Sequence, residues 1–265
     1  MTIISLSAFD LGLAAGLIVL LAVISIVMRL GLERQLLVAA LRTTVQLLLI
    51  GIVLKALFAA AGAGWIALMA LVMLAAAGRE VSARQQRRFS GWWRAGIGTV
   101  AMLISSYTVT IFALVVVIGA DPWYRPQYAV PLLGMLLGNT MNGIAIGLDR
   151  LTSAAVDQRA VIETRLALGQ SWRQAVEDVS RASIRSGLIP IINSMMVAGL
   201  VSLPGMMTGQ ILGGNPPMEA VKYQILIMFL IAGGTGLGTM AAVWMGARRL
   251  FDHRQRLRID RLETR

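Results

Sequence analysis

Charge in this chain is partitioned. Long stretches carry no ionisable side chain, and the short stretches between them are crowded with arginine. A charged group held at the middle of a bilayer costs about 2.5–3.5 kcal/mol. A chain that confines its charges to short connections is therefore shaped for lipid. Composition agrees: 14% of residues are charged, 57% are hydrophobic and the mean hydropathy is +0.74, whereas a soluble domain carries about 25% charge. The net charge of +11 does not indicate nucleic acid, because the basic residues lie between apolar runs and not on one polar domain. There is no cysteine, which excludes disulfides and thiolate metal sites. The first apolar run is too long, and lacks the basic start, for a cleaved signal peptide; it reads as the first span.

A span needs about 20 mainly apolar residues. Seven segments qualify, at about Ala8–Met28, Leu36–Leu57, Ala61–Ala77, Ala95–Ile118, Val130–Leu148, Leu188–Leu212 and Tyr223–Met245. The sixth has Pro190 near its start and Pro204 inside it. The fold expected is an all-α polytopic membrane protein, one permease domain over residues 1–265 with about seven transmembrane helices. Orientation follows from the positive-inside rule. With the amino terminus outside and the carboxyl terminus cytoplasmic, the inner segments Arg29–Arg34, Arg79–Arg94, Arg150–Arg185 and Arg248–Arg265 hold 20 of the 24 Lys/Arg residues. Trp123, Tyr124 and Tyr128 in an outer loop, and Trp92 and Trp93 at an inner one, suit aromatic belts.

The longest polar segment, 149–187, spaces Ala160, Ile162, Leu166, Leu168, Ala175, Val176 and Val179 as amphipathic helices do. It is a natural cytoplasmic docking site. The basic tail, 248–265, lies on the same side. No G-x-x-x-x-G-K-[ST] sequence is present, so the chain does not bind ATP in the P-loop manner. Its only histidine is His253, so no histidine-based catalytic set can form. Small residues recur at Gly12/Gly16, Gly134/Gly138 and Gly143/Gly147, a spacing that lets helices approach within the chain or across a dimer seam.

Polar groups inside spans are the candidates for function. Arg42 and Gln46 share a helix face, and Asn139 and Asn142 share another. They line a polar pathway, or they hydrogen-bond between helices, and Arg42 reaches to the interface by snorkelling. Met206 and Met207 are either soft ligands or gap fillers. No Asp or Glu lies well inside a span, which disfavours a proton-driven carrier and implies an external energy source.

Glu163-Thr164-Arg165-Leu166-Ala167-Leu168-Gly169 resembles the E-A-A-x-x-x-G coupling motif of ABC-transporter permeases, with Thr-Arg in place of Ala-Ala. Further runs are similar to the FetB (YbbM) permease family: Gly134-Met135-Leu136-Leu137-Gly138-Asn139-Thr140-Met141, Ser186-Gly187-Leu188-Ile189-Pro190, Val201-Ser202-Leu203-Pro204-Gly205-Met206-Met207-Thr208-Gly209 and Lys222-Tyr223-Gln224-Ile225. Arg42 with Gln46 resembles the second span of that family. The resemblance implies an iron-exporting permease of the bacterial inner membrane, working by alternating access. It implies coupling through Glu163, Arg165, Leu166 and Gly169 to a separate cytoplasmic ABC ATPase that carries the ATP, and a permease homodimer. Lipid is then the only other partner; no cofactor is held by this chain, and no nucleic acid. A nucleotide-sugar substrate, or a scaffold that does not transport, are the alternatives.

Overall fold

The computed structural model describes residues 7–60 and 62–264, and the statements below concern these residues. The chain divides into two compact units, Met1–Gly62 with Leu212–Gly214, and Ala63–Ile211 with Asn215–Arg265.

The first unit is a helical hairpin of α1 (Ala8–Val27) and α2 (Glu33–Ala60). Ser7 and Asp10 close a capping box at the start of α1, with the Ser7 N–H donating to Asp10 at 2.8 Å. Ser25 organises the turn: its hydroxyl donates to Glu33 at 3.2 Å and accepts from the Leu32 N–H at 3.1 Å.

The second unit contains α3 (Ala63–Arg84), a helical rod over Trp93–Ile118, α6 (Pro126–Asp157), α7 (Arg159–Ala167), α8 (Trp172–Ala175), α9 (Glu177–Val197), α10 (Gly205–Leu212) and α11 (Pro217–Arg249). The rod is α4 (Trp93–Met102), a π-helical turn Leu103–Tyr107, α5 (Thr108–Phe112) and a second π-helical turn Ala113–Ile118, ended by Gly119 in the left-handed conformation. Strand β1 (Arg87–Phe89) pairs antiparallel with β2 (Leu262–Thr264). The core lies among α3, α4, α6, α9 and α11, around Val81, Ile97, Met102, Ile144, Leu148 and Leu151, each no more than 2% exposed.

Close helix approach is built from glycine. A Cβ added at Gly187 on α9 would stand 2.5 Å from the Gly143 carbonyl oxygen of α6 and 2.7 Å from the Thr239 methyl of α11. One at Gly147 would meet Thr239, Val243 and Ser183. The Gly143/Gly147 pair thus packs within the chain. Gly12 and Gly16 face open space, as does Gly138, and Gly134 meets only Met73.

The chain is an all-α polytopic membrane protein, but six helices and not seven are long and apolar enough to cross a bilayer: α1, α2, α3, the rod, α6 and α11. The expected span at Leu188–Leu212 is not one helix. Helix α9 begins at Glu177, so its first half is charged, and it runs through Pro190 to Val197. The backbone then turns, with Gly199 at φ +83° and Ser202 returning to bond Gly199, before α10 starts after Pro204. The proline disfavours helical backbone at Leu203, and hydropathy does not register this. Helices α3 and α6 outrun their expected ends, to Arg84 and Asp157, so the 149–187 segment keeps only 158–176 outside its long helices. The expected span start at Ala61 and the final residue of the tail lie outside the described residues.

Candidate functional site

Helix α7 lies at the Arg-rich end of the bundle, where α6 stops at Asp157. Ile162, 1% exposed, anchors it to the core, while Glu163 faces outward and pairs with Arg159 at 2.8 Å. Arg165 turns the other way, to Asp178 of α9 at 2.8 Å. The helix ends in a Schellman motif: the Gln170 N–H bonds the Arg165 carbonyl, the Gly169 N–H bonds that of Leu166, and Gly169 takes φ +87°. Only glycine adopts that conformation without strain. Two residues on, Ser171 and Gln174 form a capping box that starts α8.

The tail beyond α11 is folded onto this platform. Leu250 and Phe251 are buried. Asp252 accepts the Arg254 and Arg256 N–H groups, each at 2.9 Å, and the Arg256 guanidinium at 3.0 Å. The hydrogen bond from the Arg256 backbone N–H, aided by that guanidinium and the Arg254 N–H against partial desolvation, pulls the carboxyl down to about 2. This tight turn projects Gln255, whose side-chain oxygen accepts the Trp172 N–H at 2.9 Å. Phe251 packs on the Trp172 ring at 5.8 Å. Arg261 then clamps the end of α11, donating to the carbonyls of Arg249 and Phe251, and β2 pairs with β1, matching Phe89 to Leu262.

The result is an open groove of about 670 Å³. Glu163, Leu166, Gly169, Gln170 and Ser171 form one wall, and Arg254, Gln255, Arg256 and Leu257 the other. Three of the four candidate coupling residues line it; Arg165 instead braces α7 against α9. The tail wall is not anticipated from sequence, where the segment reads only as basic. The signal present is Leu250-Phe251 followed by Leu257 and Leu262, apolar residues a solvated tail does not need.

The candidate pathway residues are not gathered into one site. Arg42 and Gln46 lie one turn apart on α2, both exposed. Asn139 is half-buried and donates to the Met135 carbonyl at 2.9 Å. Asn142 is exposed and accepts from the Arg84 guanidinium of α3. Met206 and Met135 both line a cavity of about 290 Å³ at the opposite end of the bundle, with Pro131, Gln210, Asn215 and Tyr223. Met207 is half-buried outside that lining. Among the described residues, no group of three or more His, Cys, Asp or Glu side chains is placed to hold a metal. What the geometry offers is an open groove between α7 and the tail, and polar side chains scattered over several helices.

Residues 8–251 match the model of a family described as "Uncharacterised protein family (UPF0014)". A UPF0014 membrane protein of Synechocystis is 41% identical over 232 residues, covering 86% of this chain and 87% of its own length. Protein ALUMINUM SENSITIVE 3 of Arabidopsis thaliana is 36% identical over 88% of this chain and 83% of its own. The probable iron export permease protein FetB of Escherichia coli is 31% identical over 96% of both. No solved structure matches the chain. The family's model spans the described helices from α1 to the end of α11, and the chain therefore belongs to the UPF0014 family of membrane proteins.

Proposed function

We propose that this chain is the membrane permease subunit of an ABC-type transporter, exporting a metal ion by alternating access, with ATP hydrolysed on a separate subunit. The observation that carries the reading is the braced α7–α8 platform, with Glu163, Leu166 and Gly169 on an open groove at the Arg-rich end. Helix α7 is fixed to the bundle through Ile162 and Arg165, so force applied to it reaches α6 and α9. The positive-inside rule assigns that end to the cytoplasm, since the segments 79–94, 150–185 and 248–265 hold 18 of the second unit's 20 Lys/Arg residues. The amino terminus is then outside, and α9 with α10 makes the seventh traverse as a broken helix. Helix α9 starts at the Arg-rich end, where Asp178 pairs with Arg165 of α7, and α10 reaches the cavity at the other. The setting is a bacterial inner membrane, and the working unit is a permease homodimer with two ATPase chains.

Iron as substrate rests on the name of the FetB relative; a nucleotide-sugar substrate has only Arg42 and Lys55 as basic groups within the spans. The test of coupling is co-purification of a co-expressed ATPase subunit with the wild-type chain and with Glu163→Lys and Gly169→Trp. Both variants lose the ATPase if the platform is its dock, and undiminished binding refutes the assignment. Vesicle uptake of iron against a nucleotide sugar decides the substrate class.

A further inference from the structure

Ten serine and threonine side chains are buried among the described residues, and they divide evenly. Ser25, Ser82, Thr110, Thr152 and Ser183 each donate to an acceptor, such as Thr110 to the Ser106 carbonyl at 2.6 Å and Ser183 to the Val179 carbonyl at 2.7 Å. Ser105, Ser106, Thr140, Thr235 and Thr239 have no partner within the protein, although none exceeds 3% exposure. Helical serine and threonine ordinarily satisfy themselves on the carbonyl one turn back. Five exceptions in one region are a departure from how this chain treats every other buried hydroxyl.

Their position is as specific as their state. Ser105 and Ser106 occupy the centre of the Trp93–Ile118 rod, on its first π-helical turn, a distortion that recurs at functional sites. Thr140 lies at the middle of α6, and Thr235 and Thr239 lie within about two turns of the middle of α11. They interlock through glycine. A Cβ on Gly238 would stand 2.7 Å from the Ser105 hydroxyl and 2.5 Å from the Thr140 methyl. One on Gly143 would stand 2.7 Å from the Thr239 hydroxyl and 2.6 Å from the Thr235 methyl. The seam is closed so tightly that it has no room for a methyl group.

Valine has the shape of threonine and would fill this seam without burying a polar atom. A seam that only packed would gain nothing from hydroxyls. They become useful if the same surfaces part in a second conformation and meet water or a solute there. We propose that Ser105, Thr140, Thr235 and Thr239 line the closed middle of the transport path, between the rod, α6 and α11. This rests on the permease reading above and goes beyond the residues that sequence singled out. The chemistry also bounds the ligand. Hydroxyls donate and accept at once, and as uncharged hard oxygens they match a hard cation that keeps part of its water, not a bare soft ion held by thioethers. Without a carboxylate they hold it weakly, as passage requires.

The chain's lack of cysteine allows a direct test. Single thiols are introduced as S105C, T140C, T235C and T239C, with A242C as a control on a buried apolar residue of α11. The permease–ATPase complex in vesicles is treated with a charged methanethiosulfonate, which reacts with the hydrated thiolate. Labelling at the four seam positions is expected to accelerate at least tenfold during ATP turnover, while A242C stays unlabelled. If the seam thiols remain as inert as A242C while ATP is hydrolysed, the inference falls and the permease reading stands. If no ATPase assembles with the wild-type chain, the permease reading falls and takes the inference with it. The T140V/T235V/T239V variant supplies an independent readout: loss of iron transport with unchanged or higher thermal stability supports a path, and full transport refutes it.

Discussion

Gly187→Ala tests the helix seam with a single carbon atom. The added Cβ would stand 2.5 Å from the Gly143 carbonyl oxygen and 2.7 Å from the Thr239 methyl, about 1 Å inside the optimal separation of roughly 3.5 Å. Neither neighbour is the end of a flexible side chain. The oxygen belongs to the α6 backbone, and Thr239 is held between α6, α9 and α11. Helix α9 must therefore shift, and overpacking of this kind costs about 1–3 kcal/mol. Gly236→Ala is the matched control, since its Cβ would meet only Leu188 at 3.9 Å, and alanine improves helix propensity by about 1 kcal/mol. By the scaling of soluble chains, each kcal/mol moves the midpoint by about 2–4 °C. Thermal unfolding in detergent should place Gly187→Ala several degrees below wild type, with Gly236→Ala at or above it. Equal midpoints for the two variants would mean that α9 does not approach α6 as closely as described.

Gly169→Val forces a β-branched residue into left-handed backbone, at about 1–2 kcal/mol, and should fray the end of α7 and weaken ATPase co-purification; Gly169→Asn should retain most of it. Phe89→Ala removes a ring that is 2% exposed, a change costing about 3–5 kcal/mol in a core. It should release the tail, read as faster tryptic cleavage at Arg254, Arg256 and Arg258. The carboxyl of Asp252 is depressed from 3.8 to about 2, so its contribution to the tail turn is complete above pH 3.8 and lost as pH falls through about 2. Hydrogen exchange of the Arg256 amide should stay protected from pH 7 to 4 in the wild type and be faster throughout in Asp252→Asn.

The six long helices lie on six of the seven hydrophobic runs, since a segment that must satisfy its own backbone in lipid has few alternatives to a helix. Gly169, at φ +87°, is a local backbone requirement written in a local residue. The break at 198–204 was less legible. Leu200, Val201 and Leu203 are as apolar as any span, and only Gly199 and Pro204 hint that the backbone turns there. The tail escaped notice because its order depends on partners far away in sequence, Phe89 and Trp172. The hydroxyl seam escaped for a related reason. Serine and threonine within apolar runs ordinarily bond their own helix, and only the assembled bundle separates those that do from those that do not.

Two of the glycines and both threonines of α11 form a repeat, Gly234-Thr235 and Gly238-Thr239, four residues apart. Against α6 this is a notch and a peg presented twice. A displacement of α11 by four residues, about 6 Å along its axis with about 40° of further rotation, would bring the second pair to the place of the first. Ala242 would then take the place of Gly238, where the Thr140 methyl and the Ser105 hydroxyl leave no room for a Cβ. The repeat therefore fits α6 in one register only, and a change of state must part the seam and not slide it.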